Sequence, residues 1–244
     1  MSTAPVADQQ ALLAVQELDT KLAKLAHQRA AHPTLETLAE LEARAADLDR
    51  SRMEHSVLVS DTSRELRKAE GDVEQVRNRA DRDRSHLEAG SGSPKDLQAL
   101  SQELESLGRR QQDLEEVELE VMERLETAET EQAAITAQLQ AITEDITRVT
   151  AERDTAFDQL DAEIQQVRTD REAAVAGLDA GLVALYERIR SQTGGLGVVA
   201  LRGGHTVGIQ LPLSLTEQAA INDAPPEQVL RSEDYGYILV RLPE

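Results

Sequence analysis

From Leu97 to Leu160 the side chains that can be buried recur in alternating steps of three and four without a slip. The series runs Leu97, Leu100, Leu104, Leu107, Gln111, Leu114, Glu118, Val121, Leu125 and Ala128, then Gln132, Ile135, Leu139, Ile142, Ile146, Val149, Arg153, Ala156 and Leu160. About nine heptads in one register demand a continuous helix with a narrow stripe that must pack against another helix. The partner precedes it. Leu38, Leu41, Ala45, Leu48, Arg52, His55, Val59, Thr62, Leu66, Ala69, Val73, Val76, Ala80, Asp83 and Leu87 repeat the pattern. Between the two seams stands Ala89-Gly90-Ser91-Gly92-Ser93-Pro94, where the glycines permit a tight turn and Ser93-Pro94 reads as an N-cap followed by proline at the first helical position. Helices joined by so short a turn run antiparallel, so Leu87 faces Leu97 and Pro33 lies opposite Ala151.

Before this hairpin, Ala11, Val15, Leu18, Leu22 and Leu25 mark an amphipathic helix from about Val6 to Ala31, broken at His32-Pro33. Beyond Leu160 the better seam is Ile164, Val167, Ala174, Leu178, Leu182, Leu185 and Ile189, which inserts one residue and predicts a joint near the shift, within a helix that runs from Pro94 to Arg190. Ser191 to Gly197 is a helix stop. Strands are then expected at Val198–Leu201, Val207–Leu211 and Tyr237–Arg241, with a short helix from Ser214 to Asn222. The fold class is mainly α: an elongated antiparallel coiled-coil hairpin over residues 1–192, broken near 32–33 with its tip at 89–94, and a small α+β domain over 193–244. A module that small is expected to need the helices, or a partner, to stay folded.

Composition narrows the function. With a net charge of −20, and three basic against six acidic residues from Gly195 onward, general affinity for nucleic acid is disfavoured. The chain has no cysteine, so thiolate metal sites and disulfides are excluded. The N-terminus lacks the pattern of an export signal and no stretch approaches a membrane span, so a cytoplasmic protein with no membrane contact is expected. Gly194-Gly195-Leu196-Gly197 lacks the strand before and helix after that a phosphate loop requires, and no Ser/His/Asp pattern or paired carboxylates stand in a credible pocket. The expectation is a protein that is not an enzyme and takes no cofactor.

Five stretches carry a resemblance: LLAVQELDTKLAKL at 12–25, SPKDLQAL at 93–100, DLEEVELEVMER at 113–124, LYERIR with the glycine-rich hinge at 185–197, and VLRSEDYGYILVR at 229–241. Together they resemble the bacterial four-cysteine zinc-ribbon family with a long N-terminal coiled-coil hairpin, in its actinobacterial branch. In that family two C-x-x-C knuckles hold one zinc. They map here onto Thr206-Val207-Gly208-Ile209 and Ser232-Glu233-Asp234-Tyr235, so Thr206, Ile209, Ser232 and Tyr235 are vestigial ligand positions and no metal is expected. Ile209 and Tyr235 are expected to fill the metal's place as an apolar plug. His205, beside Glu233 and Asp234 in this scheme, reads as a solvated loop histidine.

The resemblance implies protein partners among transcription or secretion-system components, including an alternative sigma factor. The leading expectation is a non-catalytic coiled-coil adaptor or regulator that works through protein contacts. The alternative is a nucleic-acid-binding or RNA-polymerase-associated transcription regulator. Hairpins with acidic tips reach into the polymerase, and Glu88, Lys95 and Asp96 flank this tip as candidate partner-binding residues, with Lys95 interrupting the acids. His55 and the other polar seam residues are expected to set register.

Overall fold

The computed structural model describes residues 2–90 and 92–243; Ser91, within the expected tip, lies outside the described residues. Four helices come first: α1 (Val6–Ala30), α2 (Pro33–Glu88), α3 (Pro94–Val175) and α4 (Ala180–Gln192). They are followed by β1 (Val198–Arg202), β2 (His205–Val207), α5 (Leu215–Asp223), β3 (Leu230–Arg231) and β4 (Ile238–Arg241). By packing, the chain divides into Glu36–Thr150 and a second unit that joins the residues up to Leu35 with those from Ala151 onward. This differs from a boundary at 192/193, because both ends of the chain share one core.

Within Glu36–Thr150 the seam decides burial. Leu38, Thr62, Ala69, Val73, Val76 and Ala80 of α2 and Leu107, Val121, Ala128, Ile142 and Val149 of α3 are the buried residues, and each is a heptad position read from the sequence. Ion pairs descend one helix as they ascend the other: Arg79 to Glu103 at 2.6 Å, Arg77 to Glu115 at 2.5 Å and Glu65 to Arg124 at 2.6 Å. The arms are therefore antiparallel. Polar seam residues find partners nearby: His55 Nδ1 lies 2.8 Å from the Ser51 carbonyl oxygen with its Nε2 3.5 Å from Glu131 of the other arm, and Gln111 donates to Glu115 at 2.8 Å.

The joint expected near Leu160 is not there. α3 continues to Val175, with Val167 buried on the shifted seam, and the helix ends only at residues 176–179. Burial on a stripe can shift by one residue without breaking backbone hydrogen bonds, whereas Gly177 is a poor helix former and Asp179 starts a new helix by accepting from the Leu182 N–H at 2.8 Å. The single helix to Arg190 is thus two.

The sheet order is β2-β1-β4-β3, with β1 parallel to β4 and both outer pairs antiparallel. β2 lies earlier than expected. Gly203 and Gly204, at φ 58° and 77°, make a two-residue turn that pairs Arg202 with His205, so the strand begins at once and ends at Val207. Alternation then sends the sheet's side chains to two cores. Val198, Ile238 and Val240 join Leu12 and Val15 of α1 and Leu182, Tyr186 and Ile189 of α4. Val199, Leu201, Leu230 and Leu239 join Ile221 of α5. Residues 2–4 add a backbone edge, with Ala4 N–H donating to the Glu227 carbonyl at 2.8 Å and Val229 N–H to that of Ser2 at 3.0 Å.

Candidate functional site

Of the tip residues, Asp96 is committed to local structure. Ser93 Oγ and its backbone N–H donate to Asp96 Oδ2 at 2.7 and 3.0 Å, and Ser93 Oγ accepts from the Asp96 N–H at 3.3 Å. This is a capping box that starts α3, and the hydrogen bonds from the Ser93 side chain and backbone hold the Asp96 carboxyl below the usual carboxylate range. Glu88 ends α2 and Lys95 stands in the first turn of α3, both exposed.

The four positions that the resemblance aligns with zinc ligands have separate occupations. Ser232 is buried and its Oγ accepts from the Tyr235 N–H at 3.3 Å, while Thr206 Oγ1 accepts from the Leu211 N–H at 2.9 Å. The two hydroxyls hold the turns. The apolar plug is corrected, because Ile209 and Tyr235 are 43% and 44% exposed and Tyr235 stacks on Tyr237 with ring centroids 5.9 Å apart. A strand that ends at Val207, just before Gly208 (φ 85°), leaves Ile209 beyond the sheet instead of inside it. The second turn has a support that the sequence did not reveal: the buried Glu217 of α5 accepts from the Glu233 N–H at 3.0 Å. His205 is exposed, and among the described residues no group of three or more His, Asp or Glu side chains could hold a metal ion.

The most concentrated polar chemistry lies elsewhere, where α1, α3, α4 and the glycine hinge meet. Asp19, buried on α1, receives Arg171 Nε at 2.6 Å, Arg171 Nη2 at 3.1 Å and the Tyr186 hydroxyl at 2.7 Å, with Arg190 3.4 Å away. Glu187 closes the set by pairing with Arg171 and, at 2.9 Å, with Arg190. Gln16, one turn from Asp19, accepts from the Gly197 N–H at 2.7 Å and donates to the Gly195 carbonyl at 3.0 Å. Two carboxylates face two guanidiniums, and this neutral set offsets desolvation by hydrogen bonds in fixed geometry.

The shifts follow from these contacts. Hydrogen bonding to Asp19 raises Arg171, and burial, followed by the bond to Asp19, raises the Tyr186 phenol. Burial pushes Glu187 up, but hydrogen bonds from Arg171 and Arg190 outweigh it and leave the carboxyl below its ordinary range. Chemically the cluster is saturated: among the described residues no buried side-chain nitrogen or oxygen lacks a partner. It is a lock that fixes the hinge. Two of the sequence stretches that carry the resemblance, 12–25 and 185–197, supply all of its groups but Arg171. The readable signal was a Gln and an Asp three residues apart on the apolar face of α1.

A long antiparallel helical hairpin joined to a small four-stranded sheet defines a coiled-coil hairpin protein. Residues 15–194 match the model of the CT398-like coiled-coil hairpin domain, and the chain belongs to that family. An uncharacterised protein of Mycobacterium tuberculosis strain H37Rv is 33% identical over 239 residues, which cover 98% of this chain and 97% of that one. A solved structure from Mycobacterium smegmatis superposes with a TM-score of 0.85 at 32% identity, covering 98% of this chain and all (100%) of the other. CT398 from Chlamydia trachomatis shares the fold, with a TM-score of 0.70 at 17% identity over 97% and 98% of the two chains.

Proposed function

We propose that this protein is a non-catalytic coiled-coil adaptor or regulator that acts in the cytoplasm through protein contacts. The observation that carries this reading is the use of the hairpin's interior. Every buried residue of Glu36–Thr150 is spent on the seam between the two arms, while six large apolar side chains on the same helices, Met53, Val57, Leu58, Val117, Leu119 and Met122, are 47 to 61% exposed. Solvated apolar residues of this size on both arms suit a binding surface. No helix among the described residues is long and apolar enough to cross a membrane. Crosslinking mass spectrometry in intact cells tests the reading. Recurrent crosslinks to defined proteins are expected, and a crosslink set confined to the chain itself sinks it.

The C-terminal sheet is, on this reading, a zinc ribbon that has lost its metal, its knuckle turns held by the Ser232 and Thr206 hydroxyls where the family has thiolates. The purified protein should carry no stoichiometric zinc, and a chelator should leave its Tm unchanged, since zinc needs about four N, S or carboxylate ligands in tetrahedral array. One zinc per chain by elemental analysis would refute this.

A further inference from the structure

We infer that a groove between the arms of the hairpin, built around Leu58, is the docking site for a basic amphipathic helix of a protein partner. The groove encloses about 550 Å³ and is lined by the apolar Leu58 and Ala128 together with Glu120, Glu123 and Glu131. Leu58 is 48% exposed although it is one of the larger apolar side chains of the hairpin. Arg124, the cation at this groove, is already held by Glu65 at 2.6 Å. Glu131 lies 3.5 Å from the His55 ring, and the Glu120 and Glu123 carboxylates meet no Lys or Arg among the described residues.

Charge selects the occupant. The groove's own lining holds three carboxylates, Glu120, Glu123 and Glu131, against the already paired Arg124. A second copy of this chain would bring a net charge of −20 against the same face, and nucleic acid would bring phosphates. A helix with apolar residues on one face and Lys or Arg on its flanks satisfies both halves of the groove: it covers Leu58 and neutralises Glu120 and Glu123. The inference rests on the adaptor reading and adds the surface and the chemistry of what docks there.

The test uses the full chain and, as probe, a fluorescent 21-residue helical peptide with Leu at the a and d positions of three heptads and Lys flanking them. Binding is read by anisotropy at fixed salt. Glu120→Gln with Glu123→Gln, and separately Leu58→Asn, should each weaken binding by about tenfold, because each removes one half of the recognition. Glu70→Gln with Glu74→Gln removes the same charge on α2, outside the groove's lining, and should change it by less than about twofold. Leu58 is solvated, so its variant keeps the fold, which circular dichroism verifies. Equal losses in the two charge pairs would reduce the binding to general acidity and overturn the proposal, as would absence of binding to the wild type or a Leu58-dependent dimer in sedimentation. In-cell crosslinks to a partner that fall away from the groove remove this site and leave the adaptor reading standing. An absence of any partner crosslinks removes that reading as well.

Discussion

A methyl group on Gly197 would stand 2.5 Å from Tyr186 Cε2 and 3.2 Å from its backbone oxygen. Tyr186 is fully buried and its hydroxyl is held by Asp19, so the ring has nowhere to retreat. Gly197→Ala should therefore destabilise the protein by roughly 1–3 kcal/mol, as overpacking does, seen as a lower midpoint in urea unfolding. Gly194→Ala makes a useful contrast, since its Cβ would meet open space and its cost would come from φ 74° alone. The phenol itself has a pH signature. Its ionisation is pushed above the ordinary tyrosine range by burial and by Asp19, so the neutral form is favoured by folding. The stabilisation is fully present below about pH 10, where the unfolded tyrosine titrates, and declines as pH rises beyond it. Tyr186→Phe should lose about 1 kcal/mol at neutral pH and show a shallower alkaline decline than the wild type. Parallel slopes above about pH 10 in the two proteins would contradict the assignment. Only the polar pair Gln16 and Asp19 on the apolar face of α1 was legible from the chain; their partners were not, because Asp19 and Arg171 are 152 positions apart and only folding brings them together.

At the scale of elements, the heptad pattern read the hairpin to within a residue or two. Pro33 and Pro94 begin α2 and α3, and the buried residues of both arms fall on the seams. Periodicity reports which side is buried, not where backbone hydrogen bonds stop, and for that reason the seam shift after Leu160 does not mark the α3 to α4 break, which falls between Val175 and Ala180. The sheet was less legible. Paired glycines at 203 and 204 were the stronger signal for β2 than the apolar run after it. At the tip, the capping box gives Asp96 a role that can be separated from partner binding. Asp96→Ala should speed hydrogen exchange of the first-turn amides of α3 while leaving those near Val121 unchanged. Its carboxyl is held low, so the cap persists above about pH 4 and is lost on acidification below that. Unchanged exchange at the tip would show that proline and the turn glycines suffice to start the helix.

At the scale of the molecule, the question is whether the sheet folds by itself. It has two faces and owns only one of its cores. Val199, Leu201, Leu230 and Leu239 pack with Ile221 of α5, all from beyond residue 193, but Val198, Ile238 and Val240 pack on Leu12, Val15, Leu182, Tyr186 and Ile189. The edge contributed by residues 2–4 and the bonds from Gln16 to Gly195 and Gly197 come from α1 and the segment before it. A fragment of residues 193–244 would thus expose one apolar face of the sheet to water. At roughly 1.5–3 kcal/mol for each side chain left unburied, three strand residues alone forfeit about as much as a small domain's whole stability. The isolated fragment should show no cooperative thermal transition by circular dichroism and no dispersed amide spectrum. Adding a chain that spans residues 2–192 in trans should restore both. A fragment that melts cooperatively by itself would mean that the α5 core is sufficient, and that α1 and α4 position the sheet without being needed to fold it.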